Sequence, residues 1–270
     1  MKIGMFDSGM GGLTLLNKAL KMLPHEDYIF YADVNNLPYG TKTAGEITGY
    51  ARAALDFLTD AGCKAVVVAC NTATSVAIKA LREEFDLPIL GIEPAVKPAV
   101  THEGHKRVLV MATPVTVSQA RLHQLILTLD AENDVDLLPM PELVTFAERE
   151  EFGTPAVREY IAAQLRGFAL EDYSDLVLGC THFNYFKDVL AEVFPETTRI
   201  IDGSFGTVRH LKDILDKNGL SGFGGGQVEY YITGGKLPGP EFNAKAERYL
   251  KRLDKMAEIS CGKNPVNAGK

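Results

Sequence analysis

Two short stretches hold side chains able to move protons. In Lys64-Ala-Val-Val-Val-Ala-Cys70-Asn71-Thr72-Ala-Thr-Ser75 an apolar run ends at a cysteine followed by hydrogen-bond donors, and Asp175-Leu-Val-Leu-Gly-Cys180-Thr181-His182-Phe183 repeats the pattern. A thiolate is a competent base and its thiol a competent acid, both tuned by a helix N-terminus or an imidazole. One thiolate can take a proton from one face of a carbon while a thiol opposite delivers one, so that the configuration inverts. No metal or pyridoxal phosphate is then required, provided donors hold the carboxylate that shares the carbanion charge. Ser8, Asn71, Thr72, Thr181 and turn amides are donors of that kind. His182, two residues past Cys180, is placed to polarise that thiol. Asp7 either caps its helix or orients Cys70 and receives its proton. Cys63 and Cys261 read as small hydrophobes. Two other chemistries use the same residues: a zinc site from Cys70, Cys180 and His182 with an open fourth position, or a non-catalytic anion-binding or thiol-redox protein.

The elements around these turns must position them. Residues 65–69 are apolar, three of them valine, and read as a strand buried on both faces, while 74–85 return to helical spacing. Cys70 therefore sits at the carboxyl end of a central strand, where open α/β sheets bind ligands. Residues 2–6 form a first strand that turns through Asp7-Ser8-Gly9-Met10-Gly11-Gly12. The glycines read as a tight turn that binds a small anion. Thr14 replaces the last glycine of a dinucleotide fingerprint, although Asp33 stands near the distance of a ribose-binding acid. The loop 33–41 is either plain connection or a pocket wall with Tyr39 as a lid.

Further along, 44–61 is an amphipathic helix, 88–92 a strand, and Glu93-Pro94 a crossing between halves. Residues 107–111 and 134–138 read as strands, 118–129 as a helix capped by Ser118, and the acidic run with Glu148, Glu150 and Glu151 as a solvated face. Helices are expected at 155–168, 205–218 and 240–253, strands at 199–201 and 227–233, then a frayed polar tail. The run 2–8 resembles 107–113, and Ser8 precedes Cys70 by 62 positions where Thr113 precedes Cys180 by 67. This implies two pseudo-symmetric α/β domains with mainly parallel sheets, 1–96 with 208–270 and 97–207, facing each other across a cleft.

The net charge of −7, from 28 basic and 35 acidic residues, argues against nucleic acid or an anionic membrane surface as partner. Four cysteines without a CxxC pair, and no apolar leader or membrane-length run, point to reduced thiols in a cytoplasm.

Taken together the motifs resemble those of the glutamate racemases, in the cofactor-independent aspartate/glutamate racemase superfamily. The resemblance runs through Phe6-Asp7-Ser8-Gly9, Tyr31-Ala-Asp33, Pro38-Tyr39-Gly40-Thr41, Ala69-Cys70-Asn71-Thr72-Ala73, Gly91-Ile-Glu93-Pro94, Leu178-Gly179-Cys180-Thr181-His182 and Ile201-Asp202-Gly203. It implies flavodoxin-like domains and cofactor-free interconversion of L- and D-glutamate for peptidoglycan by a cytoplasmic homodimer. Cys70 would serve the D-enantiomer with Asp7, and Cys180 the L-enantiomer with His182. Glu148 matches the family's assisting glutamate, and Asp7, Ser8, Pro38, Tyr39, Gly40, Asn71, Thr72, Thr113, Thr116, Thr181 and His182 match its substrate contacts. The chain departs at Pro114-Val115 and Met140-Pro141-Glu142, which touch the second half's pocket. The long N-terminal extension of some members is absent, which leaves no basis for assuming their activation by a cell-wall precursor. Aspartate is the alternative substrate, one methylene shorter and only modestly distinguishable by a pocket.

Overall fold

The computed structural model describes residues 1–222, 224–257 and 259. Apolar runs and helical spacing alternate into β1 (Ile3–Asp7), α1 (Leu13–Met22), β2 (Tyr28–Ala32), α2 (Ala44–Asp60), β3 (Ala65–Val68), α3 (Asn71–Glu84) and β4 (Ile89–Gly91). After α4 (Val96–Val100) come β5 (Arg107–Ala112), α5 (Pro114–Ser118), α6 (Ala120–Thr128), β6 (Val135–Pro139), α7 (Glu142–Glu148), α8 (Pro155–Leu165), β7 (Tyr173–Gly179), α9 (Lys187–Val193) and β8 (Arg199–Asp202). The chain continues through α10 (Ser204–Lys217), β9 (Val228–Ile232) and α11 (Pro240–Ala257).

The strands form two sheets, ordered β4-β3-β1-β2-β9 and β6-β5-β7-β8, with every pairing between them parallel. Without β9, each sheet has its second strand beside its first, then its third and fourth. The two halves thus share one flavodoxin-like order. In that order the chain reverses its winding direction between the first and third strands, which opens a crevice at their carboxyl ends. Ser8 and Cys70 stand at this crevice in one half, Thr113 and Cys180 in the other.

Alternation along the strands divides the core. Phe6, Val66 and Val68 pack with α2 and α3 on one face, whereas Ile3, Met5 and Val67 point the other way. That second cluster continues without a break into Leu109, Met111, Leu176 and Leu178 of the other sheet. One apolar mass therefore holds the two sheets in register with each other. The C-terminal segment returns to the first sheet, with β9 pairing along β2.

Three helix starts differ from expectation. Cys70 itself caps α3, so the helix begins at Asn71 rather than near residue 74. The cap expected at Ser118 belongs to Thr113, whose Oγ1 accepts the Thr116 N–H at 3.2 Å. Pro114 follows with its backbone preset for a first helical turn, so a short helix forms early and α6 starts afresh without a side-chain cap. After Cys180, residues 181–186 wind as a 3-10 turn before α9. α11 extends past residue 253 to Ala257, and the expected frayed tail and Cys261 lie outside the described residues.

Candidate active site

Cys70 ends the first half's third strand and is 6% exposed. Its Sγ accepts the Ala73 N–H at 3.5 Å and lies 3.6 Å from Ser8 Oγ. Burial, then the nearby Asp7 charge, push the thiol up to about 12 despite these two donors. Cys70 is therefore held as the thiol at neutral pH. Asp7 is fully buried, with Oδ1 accepting the Gly9 N–H at 2.8 Å and Oδ2 accepting Thr181 Oγ1–H at 3.3 Å from the other half. Burial raises its carboxyl to about 6, against the attraction of His182 and the Gly9 amide.

Cys180 has a different neighbour. Its Sγ is 3.8 Å from His182 Nδ1, while Nε2 of the same ring is 2.8 Å from Glu148 Oε1. Burial opposes the imidazolium, but the Cys180 sulfur and the Glu148 carboxylate outweigh it and hold His182 well above the usual histidine range. For Glu148, burial is likewise outweighed, by His182, the Met10 N–H at 2.7 Å and Lys245, so its carboxyl is lowered. One thiol thus faces an acid and the other a charged imidazole.

Both sulfurs line one small cavity with Ser8, Tyr39, Gly40, Asn71, Thr72, Thr113, Val144, Thr181 and His182. Its free volume is about 10 Å³. That is room for about one water. Asn71 is 3% exposed, and neither its side-chain nitrogen nor its oxygen has a partner among the described residues. Such an amide is unusual in a native protein. Thr72, Thr113 and Thr116 share hydroxyl hydrogen bonds of 2.8 to 3.3 Å and join the two halves at the rim.

Other expected site residues stand behind this cavity. Asp7, Pro38, Thr116 and Glu148 are not among its lining. Tyr39 is no lid: its ring is buried against Phe6 and Tyr50, and its hydroxyl donates to Asp33 Oδ2 at 2.5 Å. Asp33, which also accepts from Asn36, is thereby a support for that wall and not a ribose ligand. The glycine turn binds carboxylates of the chain itself rather than a small anion, because its Gly9 and Met10 amides are taken by Asp7 and Glu148. Glu148 accordingly points inward from the acidic run read as solvated, and Glu150 pairs with Arg248. Val144 escaped the sequence reading, since nothing separates it there from other core valines.

The glycines have a second use. A Cβ on Gly11 would lie 2.4 Å from His182 Nδ1 and 2.5 Å from Thr181 Oγ1. Gly11→Ala should lower stability by about 1–3 kcal/mol through overpacking and displace His182 from Cys180, with activity falling at least about tenfold as proximity is lost. Gly49→Ala in α2 meets nothing within 4 Å and should instead gain about 0.5–1 kcal/mol of helix propensity. Thermal melts and turnover of the two variants check both outcomes.

Among the described residues no three His, Cys, Asp or Glu side chains are arranged to hold a metal ion. Cys63, Cys70 and Cys180 are free thiols. No helix among the described residues is long and apolar enough to cross a membrane.

Comparison with known proteins bears on this arrangement. Residues 12–211 match the Asp/Glu/hydantoin racemase family. A glutamate racemase of Campylobacter curvus is 49% identical over 265 residues, covering 96% of this chain and all of that protein. The solved structure of Escherichia coli glutamate racemase in complex with L-glutamate and the activator UDP-MurNAc-ala superposes with a TM-score of 0.81 at 30% identity, over 93% of this chain and 95% of that one. Francisella tularensis glutamate racemase in complex with D-glutamate gives 0.80 at 28% identity, over 93% of each chain.

Proposed function

Because this chain belongs to the Asp/Glu/hydantoin racemase family and is an amino-acid racemase, we propose that it interconverts L- and D-glutamate by proton transfer between Cys70 and Cys180. The single observation that carries the mechanism is the shared cavity, lined by one sulfur from each half. In the L-to-D direction the Cys180 thiolate, formed with its proton held by His182, takes the α-proton from one face. The Cys70 thiol then delivers a proton to the other face and becomes the thiolate. In the reverse direction Cys70 is the base, and Asp7, charged above about pH 6, receives its proton.

The negative charge that builds on the α-carboxylate is met by the unpartnered Asn71 amide, Thr72, Thr181, Ser8 and the α3 amides, all in place before reaction. Relatives that bind L- and D-glutamate support the choice of substrate. In the organism we assign it to the cytoplasmic supply of D-glutamate for peptidoglycan, as a homodimer. Its two domains are 1–96 with 208–270, and 97–207.

The test is incubation of the protein with L-glutamate in heavy water without added cofactor. Chiral chromatography and mass spectrometry should find D-glutamate carrying one solvent deuterium at Cα. Inversion without deuterium would refute proton transfer, and inversion of aspartate in preference to glutamate would refute the substrate.

A further inference from the structure

Glu148 is the remote end of the chain of contacts that runs through His182 to Cys180, and it is an awkward place for a negative charge. Its side chain is 15% exposed. Facing it are the His182 ring, Asp7 at the end of β1, the phenols of Tyr185 and Tyr249, and Lys245 of α11. Arg248 and Glu150 pair with one another nearby. Among the described residues, His182 and Lys245 are the cations that contact Glu148 directly.

Lys245 is held where it stands. Its Nζ donates to the Glu148 main-chain carbonyl at 2.8 Å, lies 3.4 Å from Oε2 and sits 5.5 Å from the centre of the Tyr249 ring. The carbonyl contact places a cation at the C-terminal end of α7, where the helix dipole favours one. The same face of α11 presents Arg248 to Glu150, Tyr249 to the Ala147 carbonyl and Arg252 to Asp188 and the Tyr185 carbonyl. Positions 245, 248, 249 and 252 follow helical spacing, so one rigid helix face is pressed against the end of α7 and the 3-10 turn that carries His182.

We propose that Lys245 is a positioning residue for proton transfer, whose ammonium holds the Glu148 carboxylate turned toward His182. The inference rests on the racemase reading and adds to it a control point about 63 residues beyond His182 in sequence. Without Lys245, burial and the Asp7 charge act on Glu148 against His182 and one amide alone. Glu148 then binds a proton at higher pH and stops supporting the imidazolium.

The experiment is the pH profile of kcat/KM for the wild type, Lys245→Met, Lys245→Arg, Glu148→Gln and the double variant. Lys245 is partly exposed at 28% and methionine keeps most of its length, so folding should survive; a circular-dichroism melt of each variant confirms it, with Lys245→Gln as the alternative neutral replacement. The acid limb of Lys245→Met should move to higher pH, so that the loss grows as pH falls and is less than about twofold near pH 9. Lys245→Arg should restore the wild-type limb, and Lys245→Met should shift nothing further in the Glu148→Gln background. An unmoved acid limb, or an equal loss at every pH, overturns the proposal. A wild-type protein without racemisation would instead overturn the activity on which it stands.

Discussion

Serine in place of either Cys70 or Cys180 should lower glutamate inversion by at least about 10³-fold, since in the proposed mechanism each thiol is the acid or base on its face. The enantiomers have equal energy in water, so kcat/KM must fall by the same factor in both directions, and rates alone do not show which cysteine serves which face. Isotope exchange does. In heavy water Cys70→Ser still has Cys180 with His182, so L-glutamate should acquire deuterium at Cα without inverting while D-glutamate stays unlabelled. Cys180→Ser should show the converse, more slowly, because the Cys70 thiol is pushed up to about 12 and gives up its proton less readily. Either variant inverting glutamate at the wild-type rate would remove that cysteine from the mechanism, and label in the wrong enantiomer would exchange the two assignments.

Asp7→Asn should make the protein more stable and a poorer enzyme. The Asp7 carboxyl is raised to about 6 from an ordinary value of 3.8, chiefly by burial. A raised carboxyl pKa means that the folded state binds the proton more tightly than the unfolded state. The associated stability is complete below pH 3.8 and disappears as pH rises through about 6. Above that, holding the charge costs about 3 kcal/mol. Asparagine retains an acceptor for Gly9 and Thr181 without the charge, so denaturant unfolding at pH 8 should show a gain of about 2–3 kcal/mol that shrinks below pH 6 and vanishes near pH 4. Turnover should drop about 10²-fold as Cys70 loses the group that receives its proton. A variant no more stable at pH 8 than at pH 4, relative to wild type, would show that Asp7 is not strained by burial. Stability set against activity at one residue is expected where a site is assembled for chemistry.

Much of this was legible in residue order. Five apolar residues from Ala65 to Ala69 are too short and too branched for a buried helix, and the same run recurs before Cys180. The repeated spacing from hydroxyl to cysteine placed both thiols on the third strand of their halves, and that placement alone sets them at crevice ends. Sequence thus determined the sheets, the duplication and the two cysteines, because each depends on periodicity and turn chemistry within a few neighbouring residues. Tertiary structure alone decided the rest. Glu148 became an inward-facing partner of His182 through a Met10 amide 138 residues away, and Asp7 met Thr181 across 174 residues. The glycine turn found its anions within the chain, Tyr39 became a wall and not a lid, and Lys245 came to lie over α7. Charge states at this site follow from burial and from what approaches across the fold, and neither quantity exists until the two halves have closed on one another.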